Sequence, residues 1–118
     1  MFINLKKLGR SFKIGFSGLT YAIKSEDTVR AGVIVSIAML FIAFYFPLTA
    51  VERSIIILSI IFVMGAELIN TQIEKILDVV DKDYNHKIKI IKDISAGAVL
   101  LSIIGTGVIG VLILLSNI

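Results

Sequence analysis

The stretch MGAELINTQIEKILD, residues 64–78, organises the chain because it carries acidic side chains inside a helix apolar enough for a membrane. Its polar residues follow one another at intervals of 3, 4 and 4 positions, and they are Glu67, Asn70, Glu74 and Asp78. At about 100° per residue of an α-helix, these intervals put all four side chains on one face. A carboxylate within a membrane span costs roughly 2.5–3.5 kcal/mol on insertion scales and indicates a functional site. The stretch therefore predicts a polar stripe, with Glu67 at its deepest point.

The composition of the 118 residues excludes an ordinary soluble domain. Hydrophobic residues make up 57% of the chain, and the mean hydropathy of +0.97 is too high for a water-exposed surface. The chain has no cysteine, which excludes disulfides and thiolate metal sites, and its one histidine is His86. A metal site would therefore depend on carboxylates, which suit Mg²⁺ or Ca²⁺ better than zinc. We expect one membrane domain over residues 1–118.

Four helices are expected along the chain. Residues 5–24 fit an amphipathic helix with basic side chains beside and behind its apolar stripe. Such a helix typically lies in the bilayer interface, and packing on a neighbouring helix is the alternative. The other three helices, over about 29–47, 52–80 and 92–116, are long enough to contain spans of a hydrocarbon core about 30 Å thick. The predicted fold class is all-α and integral to the membrane, with a surface helix and three transmembrane helices.

The breaks between these helices are expected at polar or proline-containing segments. Residues 25–28 interrupt the first helix and can cap the second. Residues 47–49 form the first hairpin turn, and residues 80–87 form a solvated loop. His86 lies in that loop, where a surface role is expected rather than catalysis.

The basic residues predict the orientation of the chain. Of the twelve, six precede the first span, five surround the 80–87 loop, and only Arg53 lies at the first hairpin. Because cytoplasmic loops carry the excess of Lys and Arg, we expect the N-terminus and the 80–87 loop in the cytoplasm. The polar stripe then opens toward the cytosol from a multi-pass protein of the cytoplasmic (inner) membrane.

Carboxylates from two segments are expected to converge at this interface. Glu26 precedes the first span, and Glu74 approaches the end of the second. Mg²⁺ often takes one or two carboxylates together with substrate phosphates, and Lys92 at the start of the third span can neutralise a phosphate. The alternative for Glu74, Asp78 and Lys92 is that each is a solvated charge at the membrane surface.

One motif in the chain does not support a nucleotide site. Residues 105–110 match the G-x-G-x-x-G dinucleotide fingerprint. That motif has to follow a strand and open a helix, with an acidic residue about 20 positions on. Here it lies within an apolar span near the C-terminus, so close helix packing by small residues is the better interpretation.

Two segments resemble the bacterial, prokaryotic-type diacylglycerol kinase family, which includes undecaprenol kinases. Residues 67–78 resemble its E-x-x-N-[ST]-x-[IV]-E-x-x-x-D signature, and residues 92–99 resemble its K-D-x-x-[AS]-[AG]-A-V segment. The segment of this chain that carries Gly18, Glu26 and Arg30 is similar to the region before the family's first span. The likeness covers nearly the whole chain, including the number of spans and the amphipathic start.

The resemblance implies a homotrimer that transfers the γ-phosphate of MgATP to a lipid alcohol at sites shared between subunits. It implies that Glu67 is the general base on the lipid hydroxyl and that Glu26 and Glu74 bind Mg²⁺. The nucleotide-binding residues it implies are Lys92, Asp93, Asp78, Tyr84, Asn85 and Lys7 or Arg10. Those implied in support or substrate binding are Asn70, Arg30 and Ala96.

Chemistry and composition refine these expectations. A lipid hydroxyl is confined near the bilayer interface, so its base has to be buried at that depth. Three spans make a thin bundle, so the burial of Glu67 is expected to require neighbouring subunits. The absence of tryptophan and the segment 96–98 (AGA) resemble the undecaprenol-preferring branch, and diacylglycerol is the alternative acceptor.

Two other functions stay open from the sequence. One is a small oligomeric transporter in which Glu67 relays protons or cations, and the other is a non-catalytic membrane scaffold. For a kinase, the expected partners are a lipid alcohol, ATP, the lipid bilayer and further copies of the chain, with no nucleic acid.

Overall fold

The computed structural model describes residues 2–80 and 85–118. In this part of the chain it forms four α-helices: α1 (Leu5–Ser25), α2 (Asp27–Tyr45), α3 (Ala50–Val80) and α4 (His86–Ser116). Helices α2, α3 and α4 are long and apolar enough to cross a membrane. The all-α fold and three helices able to span a membrane are thereby confirmed. The position of α1 on the membrane surface and the homotrimer stay predictions.

The break between α1 and α2 is a single extended residue, Glu26. This lies within the predicted segment 25–28, but Glu26 makes no side-chain capping bond to α2, and the Ser25 hydroxyl donates within α1 to the Tyr21 carbonyl at 2.8 Å. Arg30 holds the junction instead. Its guanidinium donates to two carbonyls in the last turn of α1, at 3.2 and 2.7 Å, and also pairs with Asp27.

Helix α3 begins at a capping box that the sequence analysis overlooked. The Thr49 hydroxyl accepts a hydrogen bond from the Glu52 amide at 3.1 Å, and the Glu52 carboxylate accepts one from the Thr49 amide at 2.9 Å. This reciprocal pair satisfies two amides at the helix end. It explains why α3 begins at Ala50 rather than near residue 52.

Helix α4 begins at His86, six residues before the expected start at residue 92. Asn85 caps it, because its side-chain oxygen accepts a hydrogen bond from the Lys87 amide at 2.8 Å. The interpretation of His86 as a loop residue was therefore wrong, since it occupies the first turn of this helix. Its side chain is exposed.

Helix α3 packs between α2 and α4, and α1 contacts α2. The apolar core contains Ala43, Leu48, Ile56 and Ile113. Ile56 precedes Glu67 by eleven residues, which is about 16 Å along the helix axis. Tight apolar packing and the polar stripe therefore occupy opposite ends of the bundle.

The apolar stripe of α1 is uncovered within one chain. In the described part of α1, Ala22 is the buried residue, whereas the apolar side chains of Leu5, Phe12 and Phe16 are at least 63% exposed. A lipid surface or another copy of the chain has to cover such a stripe in the folded protein.

Candidate functional site

Glu67 is buried between α2 and α3, with 7% of its surface exposed. Gly32 on α2 permits this close approach. A Cβ atom at Gly32 would lie 3.0 Å from the Met64 sulfur and 3.8 Å from the Glu67 Cγ. One chain is therefore sufficient to bury Glu67, and the expectation that burial requires neighbouring subunits was wrong.

Burial decreases along the polar stripe of α3. Glu67 and Asn70 are buried, Glu74 is half-buried and Asp78 is exposed. The Asn70 amide nitrogen donates to the Glu74 carboxylate at 3.3 Å. Among the described residues, the Asn70 carbonyl oxygen has no hydrogen-bond partner, although it is buried. The stripe therefore leads from a buried carboxylate to the helix end, with an unsatisfied acceptor between them.

Lys92 joins this stripe from α4. Its ammonium donates to the Asp78 carboxylate at 2.8 Å, and its charge also interacts with that of Glu74. Asp93, the next residue, is exposed and accepts from the Lys89 ammonium at 2.5 Å on the same helix. The structure thus brings Lys92 to the acidic stripe and pairs Asp93 within α4.

Glu26 approaches α3 on the neighbouring face. Its carboxylate accepts a hydrogen bond from the Lys75 ammonium at 3.0 Å, and that ammonium also lies 5.8 Å from the centre of the Tyr21 ring. Lys75 directly follows Glu74, so both predicted metal ligands lie at the same end of α3. Sequence analysis did not single out Lys75, although a lysine next to a predicted metal ligand is a usable signal.

Carboxylates are the side chains at this end of the bundle that could hold a metal ion. The described residues contain no group of three or more acidic, histidine or cysteine side chains that could hold a metal ion. Two carboxylates are nevertheless the usual protein contribution to a magnesium site that shares substrate phosphates and water. Glu26 and Glu74 are such carboxylates, from two segments at one end of the bundle.

The remaining predicted site residues lie at the periphery of this cluster. Lys7 and Arg10 are exposed on α1, and Ala96 is exposed on α4. Asn85 caps α4 and Arg30 binds the end of α1, so each has a local structural contact. Tyr84 lies outside the described residues.

A pocket of about 410 Å³ lies between α1 and α3. We call it the α1–α3 pocket, and its wall includes Gly15, Gly18, Tyr21, Glu26, Thr71 and Lys75. Thr71 is 6% exposed, and its hydroxyl has no hydrogen-bond partner in the described part of the chain. Sequence analysis quoted Thr71 in the signature without assigning it a role.

Fold and site together define a small helical membrane protein with an acidic cluster at one end of its spans. The chain belongs to the prokaryotic diacylglycerol kinase family, which it matches over residues 13–114. It is similar to a diacylglycerol kinase of Synechocystis sp., with 33% identity over 106 residues, or 89% of this chain and 61% of that protein. The chain therefore spans less than two thirds of this relative.

These comparisons confirm the resemblance drawn from residues 67–78 and 92–99. The transporter alternative receives no support from them.

Proposed function

We propose that this chain is an ATP-dependent lipid kinase, which transfers the γ-phosphate of ATP to the hydroxyl of a membrane lipid alcohol. Family membership supports this class of activity. The observation that carries the proposal is the burial of Glu67, which is 7% exposed in a helix apolar enough to span a membrane. Asn70 and Glu74 lie on the same face of this helix, and Lys92 of α4 lies beside Glu74.

Glu67 is the proposed general base. The lipid oxygen forms a bond to the γ-phosphorus, its proton passes to the Glu67 carboxylate, and the bond between the γ-phosphorus and the β–γ bridging oxygen breaks to release ADP. A base for this step has to lie at the depth of a lipid hydroxyl. The burial of Glu67 beside Gly32 of α2, in a helix apolar enough to span a membrane, supports this role.

Glu26 and Glu74 are the residues proposed to hold Mg²⁺, which would supply charge neutralisation on the phosphates. Lys92 is the proposed phosphate contact, and Asp78 orients its ammonium at 2.8 Å. Asn70 holds the Glu74 carboxylate at 3.3 Å and thereby positions a metal ligand. The hydrogen bonds of Asn70 and Asp78 support these two positioning roles.

Asp93, Tyr84, Asn85 and either Lys7 or Arg10 complete the proposed nucleotide site by resemblance to the family. Asn85 caps α4 and Asp93 lies within that helix, next to Lys92. Arg30 and Ala96 remain the proposed supporting or substrate-contacting residues.

Undecaprenol is the acceptor that we favour over diacylglycerol. The absence of tryptophan and the AGA segment at 96–98 support undecaprenol. Diacylglycerol is supported by the similarity to the Synechocystis protein, which is named a diacylglycerol kinase. Both acceptors have the same reacting group, a lipid hydroxyl at the bilayer interface.

We also propose a homotrimer in the cytoplasmic membrane, with the N-terminus in the cytoplasm. An open apolar groove of about 550 Å³ between α3 and α4 supports an oligomer, because small residues that permit close helix packing line it. These include Ala66, Ala98, Ser102 and Gly105. The distribution of basic residues supports the orientation.

The test is phosphate transfer by the purified protein in mixed micelles. Wild-type protein receives ATP labelled at the γ-phosphate, Mg²⁺, and either undecaprenol or dioleoylglycerol. We expect label in the lipid fraction with undecaprenol, and less with dioleoylglycerol at equal surface concentration. If folded protein that elutes as an oligomer labels neither lipid, the proposed function is wrong. A higher kcat/KM for dioleoylglycerol would reverse the acceptor preference alone.

A further inference from the structure

The ion pair of Lys75 with Glu26 joins two segments that are far apart in sequence. Two other ion pairs in the described part of the chain are local, because they connect residues three or four positions apart on one helix. The Lys75 ammonium instead crosses from α3 to the single residue between α1 and α2, where it lies 3.0 Å from Glu26 Oε1. The pair therefore connects the helix junction to α3 rather than stabilising one helix.

The Glu26 carboxylate is accessible and has no part in capping α2. At this position a side chain commonly accepts a hydrogen bond from an amide of the first turn, but Glu26 makes no such bond. Its side chain is 25% exposed, and that of Lys75 is 50% exposed. Both residues line the α1–α3 pocket. A cation from solution can therefore reach the carboxylate, but a cation of the chain itself already binds it.

The Lys75 ammonium and a metal ion compete for the same carboxylate oxygens. An ion pair between partly exposed groups is weak, so a divalent cation can displace the ammonium. The displaced group keeps a neighbour, because it lies 5.8 Å from the centre of the Tyr21 ring and a ring face attracts an ammonium. Displacement therefore has a cost, but a small one.

The position of Lys75 also suits a contact with phosphate. Mg²⁺ bonds its oxygen ligands at about 2.0–2.1 Å and usually shares them with substrate phosphates. Because the ammonium is within hydrogen-bond distance of Glu26 and directly follows Glu74, it is close to any phosphate that shares a metal ion with these two carboxylates. Lysine has a flexible stem and three N–H donors, so it can exchange one oxygen partner for another.

We propose that Lys75 is a specificity-determining residue, which holds Glu26 in the nucleotide-free protein and exchanges it for a phosphate oxygen when the metal–nucleotide complex binds. This inference rests on the proposed function, because it takes Glu26 as a metal ligand of the kinase. A free divalent cation displaces the ammonium and gives it no new partner. A metal ion that arrives with a nucleotide supplies that partner. Lys75 therefore makes the site favour the metal–nucleotide complex over the free cation.

The test measures metal binding without turnover. Mn²⁺ replaces Mg²⁺, and the free ion is quantified by electron paramagnetic resonance with protein in neutral detergent micelles. Without nucleotide, Lys75→Gln is expected to lower the dissociation constant for Mn²⁺ about two- to fivefold, because the competing ion pair is lost. With a non-hydrolysable ATP analogue, the same variant is expected to raise the dissociation constant of the Mn²⁺–analogue complex about twofold or more, because a charged contact to phosphate is lost.

Two variants act as controls. Lys75→Arg keeps the positive charge and is expected to keep both constants near their wild-type values. Lys24→Gln removes a lysine in the last turn of α1, two residues before Glu26, and is also expected to leave both constants unchanged. A change in Lys24→Gln equal to that in Lys75→Gln would show a general effect of net charge and would overturn the inference.

A double-mutant cycle tests whether Lys75 acts through Glu26. In the Glu26→Gln background, Lys75→Gln is expected to have no further effect on the binding of free Mn²⁺, because the group for which the ammonium competes has lost its charge. An effect that persists in this background would overturn the inference.

The direction of the two shifts decides the outcome. Loss of a purely structural contact would weaken both forms of binding, so shifts of Lys75→Gln in the same direction, or no shift in either, would overturn the proposed exchange. Failure of phosphate transfer to both lipids would instead remove the kinase function. Opposite shifts would in that case still support Lys75 as the residue that favours the metal–nucleotide complex.

Discussion

Gly32 of α2 lies against α3, and we predict that activity depends on how closely these two helices approach. A Cβ atom at position 32 would lie 3.0 Å from the Met64 sulfur. Favourable contacts between heavy atoms lie at about 3.5–4.0 Å, so an alanine requires a displacement of roughly 0.5–1 Å. Because the end of a methionine side chain is flexible, Met64 is expected to absorb this displacement. Gly32→Ala should therefore keep kcat within about threefold of wild type.

A valine at position 32 is a different perturbation. Its two methyl groups add volume beside the Met64 sulfur and the Glu67 Cγ, which lie 3.0 and 3.8 Å from the Cβ position, so we expect the helices to separate. Overpacking of this kind costs about 1–3 kcal/mol of stability. A misplacement of about 1 Å at a reacting group can reduce the rate about 100-fold. We therefore expect Gly32→Val to lower kcat by about 10- to 100-fold.

The assay is phosphate transfer to the lipid alcohol, with thermal unfolding measured on the same preparations. Met64→Ala in the Gly32→Val background should restore part of the activity, because it removes the atom nearest the new side chain. Gly107→Val on α4 is the control, since no atom lies within 4 Å of its Cβ position. Wild-type activity in Gly32→Val, or equal loss in Gly107→Val, would refute the argument that this interface positions Glu67.

Two further predictions concern opposite ends of the bundle. Lys92→Gln should raise the KM for ATP about tenfold or more, because its proposed charged contact to phosphate is lost. The variant should change thermal stability little, because the bond of Lys92 to Asp78 is largely exposed. An unchanged KM for ATP would exclude Lys92 from the nucleotide site. Asn117→Ala removes an exposed 2.8 Å hydrogen bond to Glu52 at the far end and should lower the midpoint of thermal unfolding slightly. Its kcat should stay at the wild-type value, and a loss of kcat without a loss of stability would contradict the assignment of that end to structure alone.

The polar stripe was predictable from sequence because it depends only on helical periodicity. Once residues 64–78 are assigned to a helix, the intervals of the stripe put Glu67, Asn70 and Glu74 on one face. The three helices that can span a membrane were predictable for a similar reason, because length and hydropathy are calculated from consecutive residues. Both features are local, and local features can be inferred from one sequence.

The helix ends were less predictable, because they depend on individual side-chain hydrogen bonds. Thr49 and Glu52 form a capping box that places the start of α3 at Ala50. Asn85 caps α4 and brings His86 into a helix. At Glu26, where the sequence suggested a capping segment, one extended residue makes the break. At α3 and α4, the side-chain partners of the first amides therefore determine where the helix begins.

The tertiary contacts of the site could not be predicted from periodicity. The burial of Glu67 by a single chain depends on a glycine 35 positions away, and nothing local indicates that Gly32 faces it. The ion pair of Glu26 with Lys75 likewise joins distant segments. The unsatisfied hydroxyl of Thr71 is a matter of side-chain conformation, which the sequence does not specify. These three features require the packing of α1 and α2 against α3.

The most direct test of the central claim is the turnover of Glu67→Gln with its nucleotide binding measured in parallel. If Glu67 is the base on the lipid hydroxyl, kcat should fall by about 10²- to 10⁴-fold, while the dissociation constant for ATP changes less than about threefold. Glu52→Gln is the matched control, because it makes the same substitution at the opposite end of the same helix. Its kcat should remain near the wild-type value. Full activity in Glu67→Gln would contradict the account.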